Sequence, residues 1–199
     1  MRSWGFDFAD ASGVGGFVSL AIEGSGAWWW TALVRAGEPG PVVVFDADVS
    51  APRGASLAVR AEGLWAELVC ETPDVHWGVG LEAFGLRLDD PADALGDGRG
   101  ARVAVGLDLE WEAAGEPVRV AGGVVQAGVV HGELLVGPDA VAFDGTGTRR
   151  ASDGVPWWEA SLPAGPGDEE ELAVVWVPLP TGALRRALTP TGWRDRVTG

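Results

Sequence analysis

The sequence predicts an all-β protein whose strands form a closed antiparallel barrel. Apolar and polar residues alternate with a period of two through most of the chain, and long amphipathic helical patterns are absent. Glycine, proline and aspartate interrupt the alternation at short intervals, which is the spacing of an antiparallel meander. Eight or more strands of this kind form a barrel or a sandwich. The barrel is favoured because it removes the exposed edges of a sheet this size.

Each predicted strand is an alternating or β-branched run between two turns. The clearest is 102–112, where four aliphatic residues and Trp111 alternate with mostly charged residues. Within the run 57–71 the apolar phase changes at Gly63, which indicates a bulge. The predicted strands cover residues 17–22, 28–34, 41–50, 57–71, 77–88, 102–112, 118–125, 129–136, 141–143 and 172–177.

The remaining segments predict connections and a tail. We expect a helical turn at 92–95, a second short helix at 183–188, and loops at 145–154 and 163–171. Residues 1–150 are predicted to form the barrel. Residues 151–199 are predicted to be a C-terminal extension that completes or caps it, within a single domain.

Charge and composition exclude several classes of function. All 14 basic residues are arginine, and 29 acidic residues give a formal net charge of −15, which disfavours binding to nucleic acid or anionic lipid. The chain has no lysine for Schiff-base or P-loop chemistry, and its single cysteine excludes an internal disulfide and a thiolate zinc cluster. With two histidines, one chain cannot build a three-histidine metal site. No apolar run approaches the roughly 20 residues of a spanning helix, and the start lacks a secretion signal, so we expect a cytoplasmic protein.

Eleven tryptophans in a chain without tyrosine allow two interpretations. The rings either fill a wide barrel core or line a cavity for a flat or polyunsaturated apolar ligand. Ring faces of that kind stabilise a developing carbocation by about 0.5–2 kcal/mol each when water is excluded. In the run 28–30, Trp28 and Trp30 share one strand face and Trp29 takes the other, and Trp157–Trp158 is a second cluster. The expected ligand-binding residues are Trp28, Trp30, Trp65, Trp77, Phe84, Trp111 and His131.

Three polar residues are candidates for acid or base catalysis. Glu82 lies within an apolar strand, and His76 shares its face by even spacing, with Asp46 on a neighbouring β-rich segment. If this face points inward, desolvation raises the pKa of Glu82 and makes it a general acid, with His76 orienting it or relaying the proton. If Trp77 and Leu81 point inward instead, Glu82 and His76 face solvent. The pattern alone leaves both orientations open.

Residues 70–84 (CETPDVHWGVGLEAF), 88–97 (LDDPADALGD) and 106–112 (GLDLEWE) carry a resemblance to a known superfamily. They resemble the lipocalin-like proteins related to hydroxyneurosporene synthase, a carotenoid hydratase, and the AttH-like group. Tocopherol cyclases and decalin-forming Diels–Alderases are more distant members. The likeness covers about residues 1–150 and implies lipocalin-like barrels that act on polyenes, terpenoids or polyketides without a redox cofactor. Larger relatives have a second barrel with an Asp-His-Ser-Trp-Gly motif; this chain has Arg150–Gly154 at that place, without the His and Trp, and no catalytic set carries over.

The favoured hypothesis is a cofactor-independent enzyme that promotes cyclisation, cycloaddition or hydration of a large apolar metabolite. The alternative is a non-catalytic carrier of the same ligands, and a third is a partner of a biosynthetic enzyme. Neither a metal nor an organic cofactor is expected. The sequence leaves the oligomeric state open, a homodimer included.

Overall fold

The computed structural model describes residues 1–38, 40–54, 56–96, 98–157, 169–179 and 182–198. These residues contain fourteen strands and one short 3-10 helix, Pro91–Leu95, which confirms the predicted helical turn. Across this part of the chain, no helix has both the length and the apolar character needed to cross a membrane. The strands are β1 Arg2–Ala9, β2 Val14–Glu23, β3 Gly26–Arg35, β4 Val42–Ser50, β5 Leu57–Ala61, β6 Leu64–Thr72, β7 His76–Leu88, β8 Gly100–Ala113, β9 Val118–Val120, β10 Gly123–Val136, β11 Asp139–Asp153, β12 Ala173–Leu179, β13 Gly182–Thr189 and β14 Gly192–Thr198.

Eleven strands form one antiparallel sheet that curls into a ring. Its order is β4-β3-β2-β1-β11-β10-β8-β7, and β4 returns to β7 through the pairs Val42–Arg87 and Val43–Leu86. Strands β6 and β5 continue the sheet beyond β7, and the short β9 pairs with β10. The prediction of an all-β antiparallel barrel is therefore confirmed.

Aromatic and aliphatic side chains fill the inside of the ring. Phe6 lies 5.6 Å from Trp77 and 6.2 Å from Trp111 between ring centroids, and all three side chains are buried. Toward the other end, Phe8 and Phe143 meet edge to face at 5.1 Å. Bulky rings in contact at both levels make the interior a packed core, as in small barrels whose lumen is filled by side chains.

A second layer covers the outer surface of the barrel wall. Strands β12, β13 and β14 form a separate three-stranded antiparallel sheet, and β12 and β14 contact β3 and β1. Phe17 and Trp30 on the outer face of the barrel share a buried cluster with Leu184 and Leu188 of this sheet and with Trp157. The outer faces of β2 and β3 therefore also carry buried apolar residues.

Two segments, one predicted to be a short helix and the other a loop, are strands in the structure. Residues 183–188 belong to β13, because pairing with β12 and β14 outweighs the helix-forming tendency of the Ala-Leu-Arg-Arg-Ala-Leu run. Residues 145–153 lie within β11, where Gly147 is required by packing because a Cβ there would overlap the carbonyl oxygen of Asp7. Gly63 is the turn between β5 and β6, with φ +72°, and not a bulge.

A buried network of four charges joins the two layers. Asp7 on β1 accepts hydrogen bonds from Arg150 on β11 and from Arg186 on β13, the latter at 2.9 Å. Arg186 also donates to Asp195 on β14, with 2.7 Å between Nε and Oδ1. The rings of Phe17, Trp157 and Trp193 surround the Arg186 guanidinium, with centroids 4.5, 5.0 and 5.2 Å from its central carbon. Two carboxylates and two guanidinium groups thus neutralise one another between the layers, which burial requires.

The charges of this network determine the pKa of Asp7. Burial by itself raises the pKa of the carboxyl group, and the two neighbouring guanidinium groups of Arg150 and Arg186 more than offset that effect. The pKa of Asp7 is therefore below its ordinary value of 3.8.

Asp7→Asn is expected to lower the free energy of unfolding by about 3–5 kcal/mol, because it leaves two buried guanidinium groups facing an uncharged amide. Chemical denaturation near neutral pH measures this loss. Asp144→Asn, which removes an exposed carboxylate from the same face of β11, is the matched control and is expected to change stability by less than about 0.5 kcal/mol. A loss for Asp7→Asn as small as that of the control would contradict a network that holds the layers together.

The stabilisation due to Asp7 is also expected to depend on pH. Because its folded-state pKa is lowered, the unfolded chain takes up the proton first as pH falls. The difference in stability between the wild type and Asp7→Asn should be complete above about pH 3.8 and should shrink as pH falls further through the folded-state pKa. Denaturation at several pH values measures that difference. A difference that already shrinks between about pH 7 and pH 5 would contradict the lowered pKa.

Candidate functional site

The predicted acid and base on β7 lie on the outer face of the barrel. Trp77, with Val79 and Leu81, points into the core, so the inward placement of Glu82 and His76 is wrong. His76 pairs with Glu110 of β8 at 2.5 Å between Nε2 and Oε2, and Glu82 is exposed. The cause is the even spacing itself, because one apolar set must face the core and the other set then faces outward.

The predicted aromatic lining is divided among three environments. Trp77 and Trp111 lie in the packed core, where they contact side chains and do not line a chamber. Trp28 and Trp30 lie on the outer face of β3 toward the C-terminal sheet, whereas Trp29 points inward and donates to the hydroxyl of Thr31 at 2.8 Å. The remaining predicted lining residues, Trp65, Phe84 and His131, lie on the outer faces of β6, β7 and β10, and Trp158 falls outside the described residues.

Arg149 is a buried polar residue that the sequence patterns did not single out. Its guanidinium donates to Asp74 at 2.6 Å and to Gln126 at 2.9 Å, and it lies 5.4 Å and 5.7 Å from the ring centroids of Trp77 and Trp111. Gln126 in turn donates to backbone carbonyls of the two adjoining loops. These contacts close one end of the barrel. The sequence does contain one indication that Arg149 points inward. It lies at an even spacing from Phe143 on β11, so the two side chains share a strand face.

The cavity formed by the described residues at the barrel's other end is small. It has a volume of about 80 Å³ and is lined by residues that include Val14, Leu33, Leu134 and Val141. Sites for drug-sized ligands have volumes of about 300–1,000 Å³. This end of the barrel is therefore too small for a polyene or a polyketide.

A larger cavity opens through the side of the barrel wall, and we call it the side cleft. Its volume is about 440 Å³. It is lined by residues 43–46 of β4, 62–64 at the β5–β6 turn and 84–86 of β7, together with Trp30, Asp93 and Arg102.

The side cleft exists because β4 leaves β7 after a very short contact. The two strands pair only at Val42 and Val43, whereas β4 stays on β3 as far as Ser50. A register shift between Ala27 and Trp29 and a local hydrogen bond from the Asp48 amide to the Asp46 carboxylate, at 3.0 Å, bend this part of β4. Because β5 pairs only with β6, the wall stays open between β4 and β5.

Two phenylalanines on opposite sides of the side cleft are unusually exposed. Phe45 on β4 is 47% exposed and Phe84 on β7 is 57% exposed, although both are large apolar side chains. The ring of Phe45 packs against buried Trp30 with 4.4 Å between centroids, which holds one aromatic wall in place. The guanidinium carbon of Arg102 lies 4.4 Å from the centroid of Phe84 on the other side.

The side cleft has an acidic rim. Asp46, Glu62 and Asp93 contribute carboxylates, and Arg102 contributes the one positive charge among its described lining residues. Of the three predicted catalytic residues, only Asp46 lines this cleft, and it does so with the predicted lining residues Trp30 and Phe84. Within the described ranges no group of three or more histidine, cysteine or acidic side chains is arranged to hold a metal ion.

Comparison of the chain with protein-family models, with curated proteins and with solved structures gives no match. The geometry of the side cleft is therefore the basis on which a function is proposed.

Proposed function

We propose that this protein binds an apolar small molecule in the side cleft, held between Phe45 and Phe84. The observation that carries the proposal is a cavity of about 440 Å³ flanked by these two exposed rings. Its volume falls in the range of small-molecule sites, and because each ring is about half exposed, covering it with a ligand gains about half of the roughly 1.5–3 kcal/mol of full burial. The packed interior and the small end cavity favour the wall over the lumen as the binding site.

A carrier or binding protein is the function that this geometry supports best. Lining groups fixed by the fold, such as Trp30 against Phe45, reduce the ordering that binding requires. The resemblance of residues 70–84 to lipocalin-like hydratases and cyclases adds the ligand class, polyenes, terpenoids or polyketides. Binding in the cytoplasm is part of the same proposal.

Catalysis on the bound ligand is the second candidate, and it depends on Asp46. This carboxylate is half-buried at the side cleft, and one of its oxygens accepts the Asp48 amide hydrogen bond. Its other oxygen is available to a ligand, as a hydrogen-bond acceptor or, when the carboxyl group is protonated, as a proton donor. Glu82 and His76 lie on the outer face of β7 and do not line the cleft.

Phe45→Ala and Phe84→Ala are each expected to weaken binding of a polyene by about three- to tenfold, because each removes an aromatic contact worth about 0.8–1.5 kcal/mol. Trp30 lies next to the proposed ligand, so quenching of tryptophan fluorescence during titration measures the dissociation constant. Val129→Ala removes an apolar side chain that is 41% exposed elsewhere on the barrel and is the matched control. An unchanged dissociation constant in the Phe45→Ala, Phe84→Ala double variant would overturn the proposal.

Turnover distinguishes the carrier from the enzyme. If the protein is an enzyme, incubation alters the polyene, and Asp46→Asn lowers the rate by about 100-fold, the effect of losing a catalytic acid. Asp48→Asn removes a neighbouring exposed carboxylate and is expected to retain the rate. Chromatography of the extracted ligand measures conversion. Recovery of unaltered polyene from the wild type would contradict the catalytic candidate and leave the carrier in place.

A further inference from the structure

The side cleft already places a positive charge on an aromatic face. The Arg102 guanidinium carbon lies 4.4 Å from the Phe84 centroid, within the range of cation–π attraction. In the part of the chain that the structure describes, Arg102 makes no ion pair with a carboxylate. The face of Phe84 is therefore already occupied by a cation, and the exposed ring of Phe45 is the aromatic face that a ligand cation can reach.

The charges around the opening favour a cation over an anion. Asp46, Glu62 and Asp93 outnumber Arg102 by three to one at the rim, and none of these carboxylates makes an ion pair within the described residues. The whole chain has a formal charge of −15. A cleft lined by one sign of charge concentrates ligands of the opposite sign and speeds their arrival.

We infer that the natural ligand of the side cleft is an apolar molecule that carries an amine. Its apolar body lies between Phe45 and Phe84, and its ammonium group meets the carboxylates of the rim on the Phe45 side, away from Arg102. This inference depends on the proposed binding function and names the chemical class of the ligand. An anionic amphiphile would be attracted by one arginine and repelled by three carboxylates.

Three probes with the same naphthalene ring and different charge test this inference in the full-length protein. These are 1-naphthylmethylamine, 1-naphthylmethanol and 1-naphthylacetate, with binding measured by isothermal titration calorimetry at low ionic strength. The amine is expected to bind at least about tenfold more tightly than the alcohol, since cation–π contacts with partly desolvated groups reach about 2 kcal/mol. The acetate is expected to bind most weakly. Added salt should reduce the preference for the amine because it screens the rim.

A charge-matched pair of triple variants locates the preference. Replacing the rim carboxylates by Asp46→Asn, Glu62→Gln and Asp93→Asn should lower the affinity for the amine by at least about tenfold. Replacing Glu67, Glu71 and Asp108, which lie together on the outer face of β6–β8, by their amides changes the net charge equally and should leave that affinity as in the wild type.

The two proposals fail in different ways. If the alcohol binds, and Phe45→Ala and Phe84→Ala weaken it, but the amine binds no more tightly, the inference of an amine is overturned and the side cleft remains a binding site. If the preference for the amine is lost in the outer-face triple variant and kept in the rim variant, the inference is also overturned. If no probe binds, or if Phe45→Ala and Phe84→Ala leave the dissociation constants unchanged, the proposed function itself is overturned.

Discussion

Two residue pairs between β4 and β7 close the barrel, and the side cleft depends on how short this contact is. Pairing at Val42 and Val43 completes the ring, and the bend near Asp46 then carries β4 away from β7. A longer ladder would close the gap between β4 and β7 and bring Phe45 and Phe84 side by side on the outer face. The contact must persist for the ring to stay closed and must end early for the cleft to exist, so one element of the fold serves both stability and the proposed binding.

Two clusters of buried polar groups lie away from the side cleft. Arg149 closes one end of the barrel over Trp77 and Trp111, and the Asp7 network fixes the C-terminal sheet to the outer wall. In both clusters the buried guanidinium groups pair with carboxylates, which offsets the cost of burying their charge. Packed rings occupy the space between them. The two exposed phenylalanines, by contrast, both lie at the side cleft.

The fold class could be read from the sequence because alternation reports the pleat of each strand directly. The sequence does not show as directly which of the two alternating sets of residues points into the barrel. On β3, Trp29 and its neighbours Trp28 and Trp30 are all apolar, because the C-terminal sheet covers the outer face of the barrel there. On β7, Glu82 interrupts an otherwise apolar run, and only the register with β6 and β8 shows that it faces outward. The side cleft could not be predicted from local sequence patterns. The point at which β4 leaves β7 depends on contacts between residues about 45 apart in sequence. Three candidates that were each predicted from local patterns nevertheless line one cavity, namely Trp30, Asp46 and Phe84.

The most direct test of this account is to map amide chemical-shift changes on the full-length protein during titration with 1-naphthylmethanol. A neutral probe reports on the side cleft without any contribution from its charged rim. The account predicts that the largest changes fall at Phe45, Gly63 and Phe84, which surround the cleft. Changes concentrated at Val14 and Leu134, beside the end cavity, would contradict it.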